Sequence, residues 1–403
     1  MASPFFLSPH AETRHGRAVA ATLILTLSLA GCLSSPGEAQ TPNSSTLQHD
    51  SRRSGSSSAP SISAPRKDKF AAGRSSRSGI AVGPDGTVYA GRGYSPAYGE
   101  SEGFPGGLAA FSPDGRKKWE FEVELPAEAM DPLHERAGVL SAPTIGPGGT
   151  IYVTAGRKLY ALSSDGKKKW DFKTGTPSPD SAANMTPAWL SCSPALADDG
   201  TIYFTSGEGR LYAVDPRGRK KWHFSTRGTS LSSPAVAPDG TVIFTSDACY
   251  AVRADGTQRW RFRESGGTPV IGADGTTYIA GSGRVFAIDV EGRRKWTFVY
   301  DKGRWWVKPE WRARGVPSMP NPPLLGVAIA PDRTVLVSVA GRLVALDPDG
   351  RKKWEAGRMV QASRYDVSGI TSDPPPVAGD GTVYLTQYYP DADSGGKLSH
   401  GLL

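Results

Sequence analysis

Six times between residues 112 and 354 the chain spells one phrase. It reads SPDGRKKW at 112–119, SSDGKKKW at 163–170, DPRGRKKW at 215–222, RADGTQRW at 253–260, DVEGRRKW at 289–296 and DPDGRKKW at 347–354. A recurrence of this kind restricts the fold more tightly than composition does. Each unit is too small to bury its hydrophobic faces alone, so neighbouring units must stack on one another.

The phrase sits inside a longer unit. Each unit opens with a short apolar run, such as SAPTI (141–145), SPALA (193–197) or SPAVA (233–237). A tight turn follows: PDGT at 84–87, PGGT at 147–150, DDGT at 198–201, PDGT at 238–241, ADGT at 273–276 and GDGT at 379–382. Next comes an alternating segment such as TIYVTA or TIYFTS, then a third such as KLYALS or RLYAVD, then a fourth such as KKWEFEV or KKWDFKT. These short runs are rich in β-branched and aromatic residues and are bounded by Gly, Pro and Asp, which are strand and hairpin signals. Asp-Gly supplies the positive φ that a tight hairpin requires. Each unit therefore reads as a four-stranded antiparallel meander, and a stack of such meanders as an all-β propeller.

Seven units start, at residues 78, 141, 193, 233, 268, 325 and 375, but only six reach the Trp phrase. The last stops after its third strand, in GGKLSHGLL (395–403). An open edge of that kind must be covered. Residues 66–74 read RKDKFAAGR and match RKKWEAGR at 351–358. We therefore expect 66–72 to supply the fourth strand of the last blade, with Phe70 in the Trp position. That closes a seven-bladed ring over residues 66–403.

These units resemble the pyrroloquinoline-quinone-type repeat of β-propellers, a family that includes quinoprotein dehydrogenases and the lipoprotein of the outer-membrane β-barrel assembly machine. The resemblance covers residues 66–403. It implies a propeller whose Trp residues dock adjacent blades. The chain departs from the family's usual eight blades and has a short turn before the Trp strand. The cofactor site of the dehydrogenases implies an acidic calcium cluster and an adjacent-cysteine disulfide. Cys32, Cys192 and Cys249 are not neighbours, and no acidic ligand set maps onto this sequence.

Ahead of the repeats, Arg14, His15 and Arg17 precede the apolar run AVAATLILTLSLA (18–30). That run is short for a bilayer span and suits a signal peptide. It ends in Leu29-Ala30-Gly31-Cys32, which resembles the bacterial lipobox. The expectation is a signal peptide over 1–31, a lipid on Cys32 and anchorage in the cell envelope, at the outer membrane of a Gram-negative cell. Residues 32–65 are rich in Ser, Pro and Gly and read as a disordered linker, with a reach of roughly 30 Å.

The two remaining cysteines read as separate buried thiols or, less simply, as a pair. The histidines show no metal-ligand spacing, so no metal site is expected. A net charge of +8 permits an anionic partner without requiring nucleic acid. Trp119, Trp170, Trp222, Trp260, Trp296 and Trp354 read as blade-docking residues. All but Trp354 are followed two residues on by Phe, which on a strand shares their face. The Lys and Arg pairs before them read as guards of an outer strand, or as an anion-binding ring.

Loop lengths sort by face. First-to-second and third-to-fourth turns are short throughout. The long segments 91–107, 122–140, 173–192, 299–325, 356–374 and 387–396 all belong to the opposite face, and long loops on a rigid scaffold are where binding is usually placed. The 299–325 segment carries Trp305, Trp306 and Trp311 with Arg304, Arg312 and Arg314, the residue types of interface hot spots. Tyr94, Tyr98, Tyr388 and Tyr389 are placed to join them if blades one and seven are neighbours. The alternative is a loop folded on itself. The sequence thus points to a monomeric, non-catalytic scaffold with no cofactor, binding an envelope protein or polysaccharide. A quinoprotein-like oxidoreductase or a glycan-acting enzyme, with its site in the same loops, is the second reading.

Overall fold

The computed structural model describes residues 80–92, 106–124, 141–175, 192–228, 232–281, 283–300, 324–339, 342–357, 386–390 and 398–402. Among them every regular element is a β-strand, apart from one short 3-10 turn at Pro147–Gly149. The first blade is β1 (Ile80–Val82), β2 (Val88–Arg92), β3 (Gly107–Phe111) and β4 (Lys117–Glu122). The second is β5 (Thr144–Ile145), β6 (Ile151–Ala155), β7 (Lys158–Leu162) and β8 (Lys168–Lys173). The third is β9 (Ala195–Leu196), β10 (Ile202–Ser206), β11 (Arg210–Val214) and β12 (Lys220–Ser225). The fourth is β13 (Ala235–Val236), β14 (Val242–Thr245), β15 (Cys249–Val252) and β16 (Gln258–Phe262). The fifth is β17 (Val270–Ile271), β18 (Thr277–Gly281), β19 (Arg284–Ile288) and β20 (Arg294–Val299). The sixth is β21 (Leu324–Ile329), β22 (Val335–Val339), β23 (Arg342–Leu346) and β24 (Lys352–Gly357).

Every pairing is antiparallel between consecutive strands, so the meander inferred from the turns is the observed topology. A further pair, β25 (Thr386–Pro390) with β26 (Leu398–Leu402), follows the sixth blade. β25 takes in Thr386 and Gln387, the end of the segment TVYLTQ (382–387) that follows the GDGT turn, and the rest of that segment lies outside the described residues. The leader, Cys32, the linker and the closing segment 66–72 lie outside the described residues.

The hydrophobic cores lie between blades. Ala81, Leu108 and Val123 of the first blade pack with Ile145, Val153 and Tyr160 of the second in one buried cluster. Equivalent clusters join the second blade to the third, the third to the fourth, the fourth to the fifth and the fifth to the sixth. Inner strands are therefore covered on both faces. β6 and β10 are buried along their whole length, where the sequence suggested an alternation of buried and exposed positions. Their hydroxyls consequently need partners. Thr154 Oγ1 donates to the Cys192 carbonyl at 2.6 Å, Thr205 Oγ1 to the Ser232 carbonyl at 2.6 Å and Thr245 Oγ1 to the Gly266 carbonyl at 2.8 Å. Each bond ties a second strand to the segment that opens the next blade.

The repeated phrase explains how the stack is locked. In DPDGRKKW, Asp347 Oδ1 accepts the amides of Asp349 and Arg351 and shapes the turn. Gly350 takes φ +83°, a conformation that other L-residues rarely adopt. A Cβ there would also lie 2.6 Å from Cδ2 of Trp296, the Trp of the preceding phrase. Trp296 Nε1 donates to the Pro348 carbonyl of the same turn at 2.8 Å. The same lock joins Trp119 to Ser164, Trp170 to Pro216, Trp222 to Ala254 and Trp260 to Val290, at 2.8–3.1 Å. Each indole thus lies on the turn glycine of the next blade, which leaves no room for a larger residue. Phe121, Phe172, Phe224 and Phe262 follow onto the next blade, edge to face against Tyr160, Tyr212, Tyr250 and Phe286. Trp354 differs from its five siblings. It is 42% exposed, and no acceptor for its indole is found among the described residues.

Candidate functional site

Two features set which surfaces are free. The first is a set of latches on the short-turn side. In every blade a bulge precedes the Trp, as where Ala161 pairs Trp170 but Leu162 pairs Lys168, so that Lys169 is the extra residue. The bulge swings that residue over its own blade's first turn. Lys118 Nζ donates to Thr87 Oγ1 at 2.9 Å, Lys221 to Thr201 at 2.8 Å, Lys295 to Thr276 at 2.9 Å and Lys353 to Thr334 at 2.7 Å. Lys169 and Arg259 do the same to Thr150 and Thr241. In five of these turns an Asp also receives the charge; Asp85, Asp199, Asp239, Asp274 and Asp332 are all held below the ordinary carboxylate range. Hydrogen bonds from the neighbouring Thr and the latch cation outweigh partial burial in setting that direction.

These pairings add a role to the basic residues of the outer strand, which stay partly exposed there. The second closes a turn, and only the first projects from the rim. In the first, second and sixth blades that first lysine in turn meets an acid: Lys117 with Glu120 at 2.9 Å, Lys168 with Asp171 at 3.2 Å and Lys352 with Glu355 at 3.4 Å. On the short-turn side the latch residues are therefore spent on fixing each blade's own first turn.

The second feature is the opposite face, where blades are joined by polar groups near the ends of the outer strands. Between the first and second blades, Glu124 bridges Lys158 and Lys168 at 2.9 and 3.2 Å. Between the second and third, Tyr212 Oη donates to the Glu208 carboxylate and accepts the Gly175 amide at 3.3 Å. The Glu208 side chain is almost fully buried, with Arg210 at 3.6 Å. His223 stands beside Tyr212, and burial together with the Arg210 and Lys220 cations pushes its imidazole pKa down. Between the fifth and sixth, Tyr300 Oη donates to Glu355 at 3.1 Å, and Arg342 pairs with the same carboxylate at 2.6 Å.

The described strands end at Arg92, Glu122, Lys173, Val299 and Gly357, and the long segments begin there. Trp305, Trp306, Trp311, Arg304, Arg312 and Arg314 lie outside the described residues, as do Tyr94 and Tyr98. Tyr388 and Tyr389 lie on β25, opposite His400 and Ser399 of β26. Cys192 and Cys249 are separate, buried thiols. Cys192 Sγ donates to the Thr205 carbonyl at 3.0 Å, and burial pushes the Cys249 thiol pKa far up. Among the described residues no group of three or more His, Cys, Asp and Glu stands close enough to hold a metal ion.

The comparisons with known proteins agree with this architecture. A family model described as outer membrane protein assembly factor BamB matches residues 61–252, 175–304 and 250–399. Among solved structures, BamB from Moraxella catarrhalis shares the fold with a TM-score of 0.52 at 16% identity, over 74% of this chain and 80% of that one. Quinohemoprotein alcohol dehydrogenase ADHIIG from Pseudomonas putida HK5 does so with a TM-score of 0.53 at 13% identity, over 80% of this chain and 65% of that one. No curated protein matches the sequence. At these identities the solved structures speak for the fold alone, whereas the family model spans most of the chain. The protein is a pyrroloquinoline-quinone-type repeat propeller and belongs to the family of the outer membrane protein assembly factor BamB.

Proposed function

We propose that the protein is a non-catalytic scaffold of the bacterial cell envelope, lipid-anchored through Cys32, that holds a protein partner on its long-loop face. One observation carries this reading: on the short-turn side the first turns are tied up by latches and the third-to-fourth turns receive the Trp locks, so their conformations are fixed by the stack itself. The long segments 91–107, 122–140, 173–192, 299–325 and 356–374 begin at strand ends on the other side. Membership in an assembly-factor family supports a protein as the partner, with a polysaccharide as the second possibility. The binding residues are Trp305, Trp306, Trp311, Arg304, Arg312 and Arg314, with Tyr94, Tyr98, Tyr388 and Tyr389 beside them. Aromatic residues and arginine supply contact area at low entropic cost and dominate interface energetics. Seven blades, closed by residues 66–72 against β26, complete the ring and bring those tyrosines together.

The test is capture from detergent-solubilised envelopes. The wild-type chain is compared with a variant in which Trp305, Trp306 and Trp311 are Ala. Recovery of a defined protein or glycan by the first and not the second supports the reading. Equal recovery, or none, refutes the assignment to this loop. The quinoprotein-like reading rests on the fold shared with the alcohol dehydrogenase. A quinone absorbance band or stoichiometric calcium in the purified protein would favour it over the scaffold.

A further inference from the structure

The repeats provide an internal control for one another, and one inter-blade cleft departs from the pattern. In the cleft between the first and second blades, four charged residues form a neutral cluster: Glu124 from the first blade, with Lys158, Lys168 and Asp171 of the second. Counting from the Trp of each phrase gives the matching positions in the cleft between the third and fourth blades. Glu124 lies five residues after Trp119, and Arg227 lies five after Trp222. Lys168 lies two before Trp170, and Gln258 lies two before Trp260. Asp171 and Arg261 each follow their Trp directly. Just ahead of β15 the position of Lys158 is taken by buried Ala248, two residues before the strand's Tyr. Both acids have become arginines, both lysines have become neutral, and a long side chain has shrunk to a methyl group.

The result is a cavity of about 320 Å³ with a cation on each wall, Arg227 from the third blade and Arg261 from the fourth. Phe224 and Tyr250 form its apolar side, and Ser225 and Gln258 add polar groups. Arg261 is held from behind: its Nη2 pairs with Asp247 at 3.0 Å and its Nε donates to Tyr250 Oη at 3.1 Å. Its Nη1 has no partner among the described residues, and neither does the Arg227 guanidinium. A guanidinium fixed by its own hydrogen bonds, with one edge open, is suited to an anion that brings two oxygens.

We propose that the cleft between the third and fourth blades is a binding slot for a small carboxylate ligand of roughly hexose size, whose carboxylate pairs with Arg227 and Arg261. Its size fits, since small-molecule sites begin at roughly 300 Å³. Its chemistry fits as well: two guanidinium groups for the carboxylate, a hydroxyl and an amide for further polar groups, and a ring on one side. The slot opens on the rim between blades, uses none of the residues proposed for partner binding, and stands or falls independently of that surface.

The experiment titrates the full-length chain with galacturonate, glutarate and galactose by calorimetry and ligand-observed NMR. Galacturonate and glutarate should bind, and galactose, which lacks the carboxylate, should not. Arg261→Gln should weaken galacturonate by at least tenfold. Arg227→Gln, at an exposed position that leaves folding intact, should do likewise. Lys168→Gln, in the cleft that already holds its own acid, should change nothing. Arg227→Glu gives a readout that needs no ligand: it installs the missing carboxylate, so it should abolish binding and raise the thermal midpoint. The proposal is overturned if galactose binds as well as galacturonate, if neither carboxylate binds, if the arginine variants keep wild-type affinity, or if Arg227→Glu lowers the midpoint.

Discussion

One substitution, made at two buried threonines, should move stability in opposite directions. Thr277 opens β18 and is fully buried, and its Oγ1 has no hydrogen-bond partner among the described residues. The matching position in the other five blades is Val88, Ile151, Ile202, Val242 and Val335, all buried. Thr154, on β6, is equally buried, but its hydroxyl donates to the Cys192 carbonyl at 2.6 Å and meets Ser141 Oγ at 3.0 Å. A buried hydroxyl without a partner costs roughly 1–3 kcal/mol. Thr277→Val removes that cost at nearly constant volume and adds a buried methyl group. Part of the gain is lost to imperfect packing, so we expect a net stabilisation of about 1–2 kcal/mol. Thr154→Val removes a bond between blades and leaves Ser141 short of a partner, which should destabilise by about 1–3 kcal/mol. The assay is urea unfolding followed by tryptophan fluorescence, comparing midpoints at unchanged slope. If both variants shift the midpoint the same way, hydrogen-bond satisfaction is not what separates the two sites, and the account of the inner strands fails.

Gly292→Ala should destabilise by about 2–4 kcal/mol, because the residue holds φ +80° and its Cβ would lie 2.6 Å from Cγ of Trp260; a change under 1 kcal/mol in the same assay would contradict the lock. Trp260, 8% exposed, should cost about 3–5 kcal/mol when changed to Ala, whereas Trp354→Ala should cost less than half as much, and equal losses would mean that Trp354 is as well docked as the others. Burial pushes Tyr203, Tyr278 and Tyr300 up to about 12, with Asp199, Asp274 and Glu355 adding to it. A phenol whose pKa is raised by folding stabilises the fold fully below the unfolded value near 10 and loses that contribution as pH rises toward 12. Unfolding midpoints should therefore fall between about pH 10 and 12, with tyrosinate absorbance appearing alongside, and a flat profile would contradict the burial of these rings.

The strands were legible because their cues are local: Asp-Gly at the turns, β-branched runs between them, and a Trp followed by Phe. The direction in which the Trp residues dock was also readable from the alternation of a strand. Where each indole lands was not. The acceptor glycine of Trp296 lies 54 positions away, at Gly350, and nothing in either phrase marks the two as partners. The latch was missed for a related reason. Lys118 looks like any lysine on an outer strand until a bulge turns it toward Thr87, across β3. Thr277 and the charge-inverted cleft are departures from the repeat, and their meaning depends on which neighbour each aligned position faces. The aromatic and cationic segment 299–325 stood out by composition alone, and composition gives the chemistry of a surface without its geometry.

In the second to fifth blades the phrase carries both halves of a joint, a glycine turn that receives the indole behind it and an indole that reaches for the turn ahead. The five joints repeat one geometry, an indole on a turn glycine with its N–H on a carbonyl of that turn. A duplicated or deleted blade would therefore meet its new neighbours with a compatible joint at once, leaving only the charged clefts beside the joint to be matched. Proteins built on such a universal coupling can lengthen or shorten by whole units during evolution, and the number of units is left to the curvature of the ring and the way its two ends meet.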